Sequence, residues 1–129
     1  MIAIDTNIIV RYLVADDPGQ SRRARALIEH QLVWISKTVL LESAWVLDAV
    51  YEFTQTQILD AFEALLGHDT VRTEDDRAVA DALRASRAGV EFADALHVAS
   101  ATASCDAFLT FDRKLAKTRT SARPVRLVP

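Results

Sequence analysis

The sequence predicts an α/β fold: a three-layer α/β/α sandwich around a central, mainly parallel sheet of about four or five strands. Short apolar, β-branched runs alternate along the chain with amphipathic segments of helical length, the pattern of strand–helix–strand crossovers. Half of the 129 residues are hydrophobic, and 3 Gly and 3 Pro leave little room for long linkers or a loop-rich all-β fold. A chain of this size suits a single domain over residues 1–129 that buries roughly two-thirds of the surface exposed by its unfolded form.

Residues 2–4 read as a short buried strand, followed by a helix over 7–14. In "DDPGQS", Asp17 is an N-cap and Pro18 the first helical residue, opening a second helix that runs to about His30. "LVWIS" at 32–36 is short, apolar and β-branched, hence a strand. The next helix begins near Thr38 and ends near Tyr51. Thr54 with Gln57 forms a capping box for a helix that Gly67 terminates. Residues 70–72 make a weak strand, and Thr73 with Asp76 has capping-box spacing for a helix ending near Gly89. A further helix over 91–104 precedes strands at 107–111 and 125–128. There is no internal repeat or low-complexity segment. In parallel sheets of this kind the ligand crevice lies beyond the carboxyl ends of the strands.

Composition narrows the function classes. Cys105 is the only cysteine, which excludes an internal disulfide and a thiolate zinc cluster and makes a reducing cytoplasm the simplest setting. The N-terminus lacks a basic region leading into an apolar one, and no run of about 18 apolar residues predicts a membrane span. Residues 1–112 carry 9 basic and 18 acidic side chains, a balance of −9. Residues 113–129 carry Arg113, Lys114, Lys117, Arg119, Arg123 and Arg126 with no acid, a balance of +6. Such a tail is either an electrostatic handle for phosphates or a solvated surface helix and strand. The three histidines show no metal-ligand pairing at helical spacing, Ser43 has no glycine-flanked elbow, and no phosphate-binding loop is present.

Four carboxylates stand where apolar residues are expected. Asp5 and Asp112 each follow a predicted strand, so a parallel sheet brings both to the same edge. Glu42 shares a helical stripe with Trp45, Val46 and Ala49, and Asp94 shares one with Val98, Ala101 and Cys105, which predicts that both face inward. Asp48, Asp60, Glu63 and Asp81 fall on solvated faces instead. A buried carboxylate costs several kcal/mol unless paired, protonated or bound to a cation. Two of them about 4 Å apart repel by roughly 4 kcal/mol at an effective dielectric near 20. An all-oxygen cluster suits a hard divalent cation, Mg²⁺ or Mn²⁺, better than zinc. Each acid alone has a simpler reading: Asp5 as a helix cap, Asp94 paired with His97, Asp112 opening a turn with Thr110, Glu42 meeting a distant Arg. Four such placements together favour a shared site.

"IDTNIIVRYL", "LLESAWVL", "FADALHVASA" and "FLTFDRKL", in this order and spanning essentially the whole chain, resemble the PIN-domain ribonucleases, and among them the VapC-type toxins of bacterial toxin–antitoxin modules. The resemblance implies that Asp5, Glu42, Asp94 and Asp112 form the acidic metal site, with no acid missing. It further implies that Thr6, Asn7 and Thr110 orient those carboxylates or a bound water. A homodimer, and a small antitoxin whose C-terminal segment covers the active site, are also implied. The expected activity is Mg²⁺-dependent hydrolysis of RNA phosphodiesters, with Mn²⁺ as an alternative ion and Arg113 and Lys114 contacting RNA phosphates. Asp5, Asp94 and Asp112 are expected as direct ligands; Glu42 ligates a second ion, holds a metal-bound water or acts as base. Two rival classes are a non-catalytic interaction module on the same fold and a phospho-accepting receiver domain. The receiver normally needs an acidic pair beside the first strand, where this chain has "DTN".

Overall fold

Five short strands, all paired in parallel, alternate with seven helices through the described residues, 1–118 and 123–129, of the computed structural model. They divide between two compact units, Met1–Asp76 and Arg77–Pro129. In the first, β1 (Ile2–Ala3), β2 (Val33–Ile35) and β3 (Val71–Thr73) form a sheet in the order β1-β2-β3, with Ile2 opposite Val33 and Val33 opposite Val71. The middle strand is the most deeply placed: Val33 and Ile35 have 0% of their surface exposed. Helices α1 (Thr6–Leu13), α2 (Pro18–His30), α3 (Lys37–Ala49) and α4 (Gln55–Leu66) complete this unit. Helix α1 packs on α2 and α3, and α4 packs on α3 and β3. Ile9, Ile28, Leu40, Leu47, Phe62 and Leu65 are fully buried there, each contributing about 1.5–3 kcal/mol of hydrophobic stabilisation.

The caps at Asp17 and Thr54 form where the sequence places them. Asp17 Oδ1 accepts from the Gln20 N–H at 3.1 Å. Thr54 Oγ1 accepts from the Gln57 N–H at 3.1 Å while Gln57 Oε1 accepts from the Thr54 N–H at 2.8 Å, closing the capping box. The capping box expected of Thr73 and Asp76 forms only in half. Thr73 ends a strand, the next helix starts at Asp76, and Thr73 donates both its N–H and its hydroxyl to Asp76 Oδ1, at 3.0 and 2.6 Å, without accepting from a helix N–H among the described residues.

The second unit holds most of α5 (Asp76–Arg87), α6 (Phe92–Ala99), β4 (Phe108–Thr110), α7 (Arg113–Ala116) and β5 (Val125–Leu127). Gly89 has φ +112°, a conformation that favours glycine, and it ends α5 as expected. Strands β4 and β5 pair in parallel, Phe108 opposite Val125, and α7, which buries Leu115, packs on both. The basic tail is therefore a short helix and a strand, with Arg113, Lys114, Lys117 and Arg126 exposed; Arg119 lies outside the described residues.

Three expectations change. Among the described residues the strands number five, but their hydrogen bonding runs in one ladder of three and one of two. The first strand is an edge of its sheet, so Ile2 and Ala3 are exposed and only Ile4 is buried. The helix expected over 91–104 stops at Ala99, with Ser100 as its C-cap, the Ser100 N–H donating to the Leu96 carbonyl at 2.9 Å. Among the described residues no helix is long and apolar enough to cross a membrane.

Candidate active site

Asp5 stands where β1 gives way to α1. The Ile4 N–H makes the last bond of the ladder, to the Trp34 carbonyl at 3.1 Å. Asp5 is then extended (φ −98°, ψ 176°) and caps α1, its Oδ1 accepting from the Ile8 N–H at 3.1 Å. A carboxylate here is favoured by the helix dipole, worth about 0.3–1 kcal/mol. Asp5 is exposed, and its Oδ2 has no partner among the described residues. Thr6 behind it is buried, and its Oγ1 has no hydrogen-bond partner among the described residues. Asn7 is exposed.

Asp112 repeats the device in the second unit. Two residues beyond β4 it caps α7, with Oδ1 accepting from the Lys114 N–H at 2.8 Å and the Leu115 N–H at 3.0 Å. Thr110 Oγ1 accepts from the Asp112 N–H at 3.0 Å, so the threonine fixes the backbone that carries the acid. Asp112 is exposed and its Oδ2 has no partner among the described residues. The side chains of Arg113 and Lys114 are exposed beside it.

Helical periodicity mispositions Glu42 and places Asp94 only in part. Helix α3 buries Leu40, Ser43 and Leu47, which leaves Glu42 exposed, Trp45 65% exposed and Ala49 exposed; the supposed inward stripe is the outer one. The cause is packing: α1 and α4 both lie against α3 and select the Leu40–Leu47 face over the one centred on tryptophan. Asp94, in the first turn of α6, is half-buried. Val98 on its stripe is buried, but Ala101 and Cys105 fall beyond the end of the shortened helix. Neither Glu42 nor Asp94 has a hydrogen-bond or ion-pair partner among the described residues, so the Asp94–His97 pairing permitted by spacing does not form. Ser43, considered from sequence only as a nucleophile, is fully buried next to Glu42 with its Oγ unpartnered among the described residues. A serine inside an apolar helical stripe is the signal that would have marked it.

Among the described residues, no three or more His, Cys, Asp and Glu side chains gather into a group that could hold a metal ion. The predicted acids are divided by unit, Asp5 and Glu42 in the first, Asp94 and Asp112 in the second. Their chemistry is nevertheless uniform: four carboxylates with unpartnered oxygens and no thiolate or imidazole, a donor set suited to Mg²⁺ or Mn²⁺. The PIN domain family model matches residues 2–120, across both units. The chain belongs to the PIN-domain family. PIN domains are generally nucleases and typically bind a divalent metal ion. The matched segment contains Asp5, Glu42, Asp94 and Asp112, together with Thr6, Asn7, Thr110, Arg113 and Lys114. Membership accounts for the α/β fold class with parallel strands. Among curated proteins, none matches the chain.

Proposed function

We propose that this PIN domain is a Mg²⁺-dependent endoribonuclease, with Mn²⁺ as a substitute ion, and the toxin of a toxin–antitoxin pair, its two units acting as one domain over residues 1–129. The observation that carries the reading is that all four acids are present within the family match, and each keeps at least one carboxylate oxygen without a partner among the described residues. A bound divalent ion would supply an activated water and stabilise charge on the transferring phosphoryl group. Asp5, Asp94 and Asp112 are the direct ligands in this reading. Capping does not compete with ligation at Asp5 and Asp112, because it uses only Oδ1. Glu42 ligates a second ion, holds a water or acts as general base. The buried, unpartnered Thr6 hydroxyl and exposed Asn7 hold a water or orient Asp5, while Thr110 orients Asp112. Arg113 and Lys114 offer exposed cations to RNA phosphates.

A cognate antitoxin and a homodimer belong to the same proposal, supported by the resemblance of the four motifs to VapC-type toxins. The exposed Leu109 and Phe111 at β4 supply apolar surface for such a contact. Incubation with a mixed RNA pool tests the activity. Cleavage should stop with a chelator and return with Mg²⁺ or Mn²⁺, and Asp94→Asn should lower it by roughly 100-fold or more, the scale of losing one group that stabilises a transition state. Cleavage indifferent to chelation would refute metal dependence, and RNA binding without cleavage would identify a non-catalytic module.

A further inference from the structure

We infer that the groove between α1 and α2 is a nucleotide subsite, which seats one unpaired nucleotide of the RNA with its phosphate on Arg23 and its base against Ile8 and Leu27. The inference rests on the nuclease reading and extends it to a place on the molecule that the acidic residues do not touch. The groove has a volume of about 390 Å³, at the lower end of the roughly 300–1,000 Å³ typical of small-ligand sites. Asn7, Ile8 and Arg11 line it from α1, and Gln20, Arg23 and Leu27 from α2.

Charge selects the occupant. Residues 1–112 carry 9 basic against 18 acidic side chains, yet this lining holds two guanidiniums and no carboxylate. The two arginines differ in freedom. Arg11 is fixed: its Nε donates to Gln20 Oε1 at 2.7 Å, and its Nη1 donates to Asp16 Oδ1 at 3.1 Å and to the Tyr51 hydroxyl at 3.3 Å. It is a rigid wall whose charge Asp16 already offsets. Arg23 is exposed and has no ion-pair or hydrogen-bond partner among the described residues. Its planar fork suits a phosphate, which two of its N–H groups can bind together.

The remaining lining suits a base. Ile8 and Leu27 are half-buried, which leaves apolar surface on which the face of an unstacked base can rest. The carboxamide oxygen of Gln20 is taken by Arg11, so its amino group remains to donate, and Asn7 offers a second carboxamide. Asn7 is also two residues from Asp5, a chain span of at most about 7 Å, so the groove opens beside that acid.

The test uses the full chain carrying Asp5→Asn to stop cleavage, with hexauridylate as probe and affinity measured across a series of salt concentrations. Adding Arg23→Ala should weaken binding about tenfold and make the log–log salt dependence shallower by about 0.7, the loss of one single-strand phosphate contact. Arg25→Ala is the charge-matched control: that guanidinium lies over the Tyr12 ring, 5.1 Å from its centroid, and does not line the groove, so the slope should hold. Methyl resonances of Ile8 and Leu27 should shift with the oligonucleotide. An unchanged slope with Arg23→Ala, or an equal change with Arg25→Ala, overturns the subsite. So do methyl shifts produced by a protein partner but not by hexauridylate. If the wild-type chain cleaves RNA while the slope is unchanged, the subsite alone fails. If it neither binds nor cleaves RNA, the nuclease reading fails with it.

Discussion

Glu52 has φ 58°, the left-handed region, at the turn that leaves α3. The turn is held by the Phe53 N–H donating to the Leu47 carbonyl at 2.9 Å. A side chain there costs about 1–2 kcal/mol, partly offset for glycine by its larger loss of backbone entropy. Glu52→Gly should therefore raise stability by about 0.5–1 kcal/mol, read as a higher denaturant midpoint at unchanged m-value. A lower midpoint would mean that the glutamate makes an offsetting contribution. Asp76 is a second local device. The Thr73 hydroxyl, then the Thr73 N–H, hold its carboxyl below the ordinary value of 3.8, against a smaller opposing effect of burial. A depressed folded-state pKa contributes stability that is complete above the unfolded value and lost as pH falls through the folded one. Between pH 5 and pH 3 the wild type should thus lose more melting temperature than Asp76→Asn, and equal losses would remove Asp76 from the account. Such local pairings were legible because each joins residues three apart, Thr54 with Gln57 and Thr73 with Asp76, and needs no tertiary information. The exposure of Glu42 was not legible: the apolar faces of α3 compete, and packing by α1 and α4 chooses between them.

At the scale of elements, β1–α1 and β4–α7 share one construction: a short parallel strand, an acid just past its end, and a helix capped by one oxygen of that acid. The strand positions the acid, the cap fixes its rotamer, and the second oxygen has no partner among the described residues. The two readings that the sequence leaves open for Asp5, cap or ligand, are therefore compatible. The construction also separates folding from chemistry in a testable way. Asn caps a helix about as well as Asp, whereas Ala costs about 1 kcal/mol. Asp112→Asn should accordingly keep the melting temperature near that of the wild type, while Asp112→Ala lowers it, and both should abolish cleavage. Cleavage retained by Asp112→Asn would reduce this acid to a structural cap. Strand positions were legible from their apolar, β-branched runs, but the end of α6 was not, since the alanines and serines after Ala99 carry no stop signal comparable to Gly89.

For the whole molecule, alternation of strand and helix was enough to reach the α/β class, because each crossover is encoded within a few tens of residues. The division of five strands into ladders of three and two was out of reach, because register is set between segments far apart in sequence. The same distance separates the acids, with Asp5 in the first unit and Asp94 in the second. If both serve one ion, as proposed, their contributions to Mg²⁺ binding cannot be independent. Removing either ligand already breaks the shared coordination, so the double variant Asp5→Asn/Asp94→Asn should lose little more affinity than the worse single variant. Residues acting through a common partner depart from additivity by about 0.5–3 kcal/mol. Titration calorimetry of the wild type, both single variants and the double variant measures this coupling directly. Thermal melts supply a second readout. Mg²⁺ should raise the melting temperature of the wild type more than that of Asp94→Asn, because binding to the native state alone adds stability. Without metal, Asp94→Asn should melt at or above the wild-type temperature, since a repelling carboxylate has been neutralised. Strictly additive losses of affinity, with equal Mg²⁺-induced shifts in the melts, would mean that the acids do not share an ion and would overturn the single-site proposal.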